Sequence, residues 1–194
     1  MDYILMTPPF IIGEFRKLSR IEAKQHFDWY VKQIPSRLSL LQDYYTESCR
    51  ISNHLDFSEQ SLVNIWNWFI ENVEIIVKLN SEIEEEKAII PNWMHETITQ
   101  TKIATKWKSI AHDIGLYFAT SLIKGSNSLK WDIVYTPKNF ISVNKPIVSG
   151  FNSKLILDPT IIINNLSNKC IDNSADKEDL LNIYNYWQKH NITL

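Results

Sequence analysis

Glycine is scarce in this chain of 194 residues: four copies, at positions 13, 115, 125 and 150, with no two close together. Phosphate-cradling loops and dinucleotide fingerprints need clustered glycines that let backbone N–H groups approach the ligand, so both are excluded. No G-x-S-x-G elbow is present, and "VSGFNS" around Ser149 reads as turn chemistry. Cysteine is scarcer still, with only Cys49 and Cys170. No CxxC and no Cys/His set exist to build a structural zinc site, and without an export signal both thiols are expected free. The four arginines all precede residue 51, while lysine, isoleucine and asparagine abound, a bias that reflects an AT-rich genome more than chemistry. No apolar run approaches the ~20 residues of a membrane helix. The first apolar stretch is broken by Pro8 and Pro9 and begins with Asp2, where a secretory signal carries positive charge. These absences lead us to expect a cytoplasmic chain with no membrane contact.

What the sequence does have is aromatic bulk: seven Trp, eight Tyr and eight Phe within a 44% hydrophobic composition. A chain of this length buries a sizeable core without staples, and large aromatics are its natural filling. Ser19 and Glu22 form a capping box, after which Ala23, Phe27, Tyr30, Val31 and Ile34 share a helical face. Pro35 ends or kinks that helix, and Leu38, Leu41, Tyr44 and Tyr45 continue the pattern beyond it. Asp56 or Ser58 caps a second helix over about 59–79, striped by Leu62, Ile65, Trp66, Phe69, Val73, Ile76 and Val77. Ser81 caps a short acidic segment before Pro91. A third helix is expected from about Trp93 to Lys124, with Ile103, Trp107, Ile110, Ala111, Ile114, Phe118 and Leu122 on one face and Gly125 as its stop.

The period then switches to two. Trp131, Ile133 and Tyr135 alternate with Lys130, Asp132 and Val134, "TPKN" supplies a turn, and Ile141 and Val143 resume the alternation. Pro146 belongs at an edge or a strand start, and "IVSGF" and "KLILD" offer two more short strands. Asp158 followed by Pro159 starts a helix, and a last helix over about 176–189 aligns Leu180, Tyr184 and Trp187. The expected fold is α+β in one domain, 1–194. Three or four helices (about 15–125) carry an antiparallel sheet of three or four strands (about 128–158), followed by C-terminal helices (about 159–190). Trp66, Phe69, Trp107, Ile110 and Phe118 should be core, with Trp131 on the sheet face turned to the helices.

Chemistry is hard to find. His95–Glu96 begins like H-E-x-x-H, but the next histidine is His112, about 100° around a continuous helix. His112 and Asp113 are sequence neighbours, which on a helix separates their side chains. His26 flanks the first apolar stripe as a structural residue, His54 lies in a loop and His190 near the end. Cys49 and His54 have no third group to orient them. No catalytic residue, no metal ligand and no cofactor site is assigned. An enzyme would have to assemble dispersed residues such as His95, Glu96, His112 and Asp113, and a small-ligand binder would use an aromatic groove near the hairpin.

Charge is unevenly spread. Residues 51–100 hold two lysines against nine acids, while 101–150 hold seven lysines against two aspartates. The plain reading is that the two halves face and compensate each other. The sharper one is that Glu82, Glu84, Glu85 and Glu86 form an acidic surface for a basic protein partner. Nucleic-acid binding fits poorly with a net charge of −2. The order "SRIEAKQHFDWYVKQIPSRL", "LDFSEQSLVNIWNWFI", "DIGLYFATSLI", "LKWDIVYTPKNFISVNKPIVSGF" and "LDP", over about residues 10–165, resembles a group of uncharacterised bacterial cytosolic proteins. The resemblance implies an immunity protein of a toxin system and assigns no functional residue. Together these readings lead us to expect a non-enzymatic binding protein that acts by protein–protein contact.

Overall fold

The computed structural model describes residues 3–49 and 54–191. Asn53, in the loop expected before the second helix, lies outside them. The chain order is α1 (Arg20–Cys49), α2 (Glu59–Asn72), β1 (Ile75–Val77), α3 (Asn80–Ile89), β2 (Thr101–Ile103), α4 (Thr105–Lys124), β3 (Lys130–Ile133), β4 (Pro146–Ser149), α5 (Pro159–Asn168) and α6 (Asp179–Lys189). The α+β expectation holds. The single sheet of three or four strands does not: two separate two-stranded antiparallel ribbons form instead, β1–β2 and β3–β4.

The centre is α4. From Ile110 to Leu122 nearly every residue is buried, including Ile114, Leu116, Phe118 and Leu122 at 0% exposure. A helix apolar on all sides needs neighbours on all sides, and α1, α2, α5 and α6 supply them. Gly115 lets α5 come close: a Cβ there would stand 3.1 Å from Ile163 and 3.2 Å from the Pro159 carbonyl. Trp66, Phe69, Trp107, Ile110 and Phe118 are buried as expected. Trp66 stacks on Phe69 with centroids 5.3 Å apart, and Phe69 meets Trp107 edge-on at 5.8 Å. Each such side chain contributes about 1.5–3 kcal/mol of apolar transfer.

The local signals decide several boundaries. Ser19 and Glu22 close the box at the start of α1, the Ser19 N–H reaching Glu22 Oε2 at 2.8 Å and the Glu22 N–H reaching Ser19 Oγ at 3.2 Å. Ser58, not Asp56, caps α2 by accepting the Ser61 N–H. Asp158 Oδ1 accepts the N–H groups of Thr160 and Ile161 at 3.0 and 3.2 Å, with Pro159 at the first helical position. Gly125 caps α4.

Other expectations are corrected. Pro35 does not end α1, which continues past it to Cys49. The ring removes one backbone hydrogen bond, but Ile34, Arg37, Leu41 and Tyr45 are all buried on the same face, and their packing holds the helix across the gap. The face itself is rotated: His26 is buried where Phe27 and Val31 are only half-buried. The second helix stops at Asn72 rather than near 79, because the β-branched residues Ile75–Val77 pair with Thr101–Ile103. That pairing also divides the expected Trp93–Lys124 helix into a short 3₁₀ turn (Asn92–Thr97), β2 and α4.

Ile141 and Val143 are not strand residues. β3 pairs with β4, Trp131 opposite Val148, and the stretch 134–145 is a loop. Leu157 adds one bridge to Val148. Trp131 does face the helices, 5.9 Å from the Tyr30 ring. Gly150 sits at φ +101°, and a Cβ there would lie 2.1 Å from the Ser128 carbonyl oxygen, so only glycine fits.

Candidate functional site

Between α2 and α4 the chain leaves the helical body and returns to the same place. The stem is the β1–β2 ribbon, in register Ile75↔Ile103, Ile76↔Lys102 and Val77↔Thr101. It is closed at both ends by Ala104 N–H to the Glu74 carbonyl and Lys78 N–H to the Gln100 carbonyl, each at 2.9 Å. Residues 78–100 form an arm beyond that stem. Ile83 is the only buried residue of α3, and the Asn92–Thr97 turn has none.

The arm is internally tied. The Leu79 N–H donates to Glu82 Oε2 at 2.9 Å, which secures the start of α3; Ser81, expected to cap it, does not. The His95 Nε2 lies 3.1 Å from the Lys87 carbonyl and 3.3 Å from the Ile90 carbonyl. Both partners only accept, so Nε2 carries the hydrogen, and the imidazole pins the turn to the end of α3.

The glutamate run is largely spoken for. Glu82 pairs with Lys102, Glu84 with Lys87 at 2.8 Å and Glu86 with Lys78 at 2.7 Å. The Lys102 ammonium, with the Leu79 N–H, holds the Glu82 carboxyl below the usual carboxylate range. Glu85 and Glu96 are exposed and stand in no ion pair among the described residues. Of the four glutamates singled out in the sequence, only Glu85 is left without a lysine among the described residues, and Glu96 adds a second unpaired carboxylate to the arm.

Large apolar side chains of the arm and its stem stand in solvent among these polar groups. Val77 is 76% exposed, Leu79 67%, Ile89 82% and Trp93 79%. Of the seven tryptophans, Trp93 alone is exposed; the others are buried or half-buried. No periodicity marks Trp93, because it sits in a 3₁₀ turn rather than on a helical stripe. The usable signal was the proline two residues before it, which isolates Trp93 from the apolar faces on either side.

The residues named for an enzyme do not assemble. His95 and Glu96 ride on the arm, whereas His112 and Asp113 belong to a buried network between α1, α4 and the N-terminal segment. Asp113 is fully buried and Arg37 nearly so. The guanidinium grips the carboxylate at two points, Nε to Oδ1 at 3.1 Å and Nη2 to Oδ2 at 2.6 Å, and its Nη1 donates to the Ile4 carbonyl at 2.7 Å. The Tyr3 hydroxyl also donates to Asp113.

Contrary to the sequence argument, neighbouring His112 and Asp113 do meet, Nδ1 to Oδ1 at 3.4 Å, while His112 Nε2 lies 3.1 Å from the Tyr30 hydroxyl. Burial raises the pKa of both Tyr3 and Tyr30, and the Asp113 charge raises it further, so neither becomes a phenolate base at neutral pH. Every Arg37 nitrogen and both Asp113 oxygens have partners inside the protein, which makes the network a tie between elements.

Sequence reasoning missed Arg37. Its signal was there: Arg37 falls on the Ile34–Leu41 stripe and Asp113 on the Ile110–Tyr117 stripe, opposite charges on two apolar faces. Among the described residues no group of three or more His, Cys, Asp or Glu side chains is placed to hold a metal ion, and no helix is long and apolar enough to cross a membrane. Comparison of the chain with protein-family models, with curated proteins and with solved structures returns no match.

Proposed function

We propose that the chain is a non-enzymatic binding protein that acts by protein–protein contact, with the 78–100 arm as its docking element. The observation that carries this is Trp93, 79% exposed in a protein whose other six tryptophans are buried or half-buried. Tryptophan is among the residues that most often dominate interface energetics when a partner encloses it. Val77, Leu79 and Ile89 add apolar surface of the kind that marks a contact site, and Glu85 and Glu96 leave two carboxylates for a basic partner. An arm tied to itself by the Leu79–Glu82 and His95 contacts is preorganised, which lowers the entropy lost on docking. An immunity-type role, in which such contact neutralises a toxin, is the specific form we favour.

The test is affinity purification of the tagged chain from its native host, side by side with Trp93→Ala and Glu85→Lys. A single partner with a basic surface should be recovered by the wild type, and Trp93→Ala should weaken its binding by about 30-fold, the loss of a ~2 kcal/mol hot spot. Recovery of no partner, or equal recovery by Trp93→Ala, would remove the basis for the proposal.

A further inference from the structure

A second surface, sharing no residue with the arm, has the opposite charge. The 3₁₀ turn Phe15–Lys17 and the first turn of α1 lie against the loop 134–145. Asn144, fully buried, donates from Nδ2 to the Phe15 carbonyl at 2.7 Å and to the Leu18 carbonyl at 3.2 Å, and Lys138 Nζ reaches the same Leu18 carbonyl at 3.2 Å. The two segments are thus pinned into a fixed seam.

Two clefts open along it. One, of about 520 Å³, is lined by Arg20, Ile21, Lys24 and Tyr135. The other, of about 360 Å³, is lined by Glu14, Phe15, Arg16, Ile141 and Lys145. Ile21 is 82% exposed and Ile141 59%. The rims are cationic. Lys24 is matched by Asp28, and Glu14 by Lys17. Arg16, Arg20 and Lys145 stand in no ion pair among the described residues. The Arg20 guanidinium lies 4.7 Å over the Tyr135 ring and the Lys145 ammonium 5.9 Å from the Phe15 ring, so each cleft joins a cation to an aromatic wall.

From this we infer that the seam docks an acidic segment of another protein, one that carries apolar side chains able to enter the two clefts. Unmatched cations on a chain of net charge −2 call for a local negative partner. The aliphatic Ile21 and Ile141 call for apolar anchors that a phosphate backbone does not offer, since its contacts with protein are to cations and hydrogen-bond donors. An acidic peptide with apolar anchors meets both demands: the anchors desolvate Ile21 and Ile141, and the carboxylates engage Arg16 and Arg20 with the fork geometry arginine favours.

The probe is a random-sequence peptide display library selected against the intact chain. Selected peptides should be enriched in Asp and Glu beside large apolar residues. A synthetic peptide of that consensus should bind with an affinity that Arg16→Glu and Arg20→Glu each lower about tenfold, the effect of turning attraction into repulsion at a rim. Ile21→Asp should abolish binding, and Trp93→Ala should leave it unchanged, which keeps this test separate from that of the arm. All three seam positions are exposed, and circular dichroism verifies that each variant is folded. Failure to enrich acidic sequences overturns the inference, as does binding indifferent to the three seam substitutions. Tighter binding of duplex DNA or of phosphatidylglycerol vesicles at the same residues also overturns it, in favour of a nucleic acid or a membrane surface.

Discussion

Replacing Asp113 by Asn should be among the most damaging single changes to the fold that leave its shape untouched. The carboxylate is fully buried, accepts two Arg37 nitrogens at 3.1 and 2.6 Å and takes the Tyr3 hydroxyl as well. Asn keeps the volume, removes the charge and turns one acceptor into a donor facing the guanidinium. Arg37, with its side chain 8% exposed, then keeps two neutral acceptors, the Asn oxygen and the Ile4 carbonyl, and no counter-charge. Leaving a buried charge without its partner costs about 3–5 kcal/mol, and losing charge-assisted hydrogen bonds worth about 1.5–3 kcal/mol each gives a similar figure. Against a typical total of about 5–15 kcal/mol, that is about a fifth of the stability or more. The midpoint of thermal unfolding should fall by about 6–20 °C in a chain of this size.

The assay is urea denaturation followed by tryptophan fluorescence and circular dichroism, with Glu84→Gln as the control. Its partner Lys87 is 38% exposed and Glu84 itself 70%, so that surface pair should be worth less than about 1 kcal/mol. The double variant Arg37→Met/Asp113→Leu should be less harmful than Asp113→Asn alone, because no unpaired charge remains. It should still fall short of wild type, since Tyr3 and the Ile4 carbonyl lose their partners. If Asp113→Asn unfolds within about 1 kcal/mol of wild type, no better separated than Glu84→Gln, the network is not a buried tie and the reasoning fails.

Gly150→Ala should destabilise by more than about 3 kcal/mol, since it adds a severe contact with Ser128 to an unfavourable φ. Gly13→Ala, where nothing lies within 4 Å, should stay within about 0.5 kcal/mol, and chemical denaturation measures both. Pro35→Ala should stabilise by about 1–3 kcal/mol by restoring a helical hydrogen bond at an exposed position; a loss of stability would show that the proline ring supports α1. His26 is buried against Phe15, Trp29 and Tyr30 with Nδ1 unpartnered among the described residues, and burial lowers its pKa from the ordinary 6.5. Below that pH the unfolded chain takes up a proton that the folded imidazole resists, so stability falls as pH drops through about 6.5. His26→Phe should flatten that part of the profile, read from urea midpoints between neutral and mildly acidic pH; an unchanged slope would refute the assignment.

The long apolar stripes were the legible part of the fold. Trp66, Phe69, Ile110 and Phe118 announce their helices because period and burial coincide there. Ile76 and Val77 misled because a helical stripe and a β-branched run overlap, and only the distant partner Thr101–Ile103 breaks the tie. Ile141 and Val143 alternate properly, yet β3 takes β4 instead. The loop that holds them is tied through Asn144 to the Phe15 and Leu18 carbonyls, more than a hundred residues away in sequence, a contact that local alternation does not reveal. At the site, the glutamate run was easy to see and its neutralisation was not, because Lys78 and Lys102 reach it only once the ribbon has formed. Trp93 was hidden by the opposite problem: one large residue in a short turn has no pattern to belong to.

The closure of the β1–β2 stem by residues 74 and 104 has an evolutionary consequence. An excursion that leaves and rejoins the body at one point can be lengthened, shortened or exchanged at small entropic penalty to the rest of the chain. Substitutions at Leu79, Ile89 or Trp93 change what the arm touches without disturbing the packing around α4. Under the docking role we propose for the arm, its contact surface can therefore change without a matching change in the helical body.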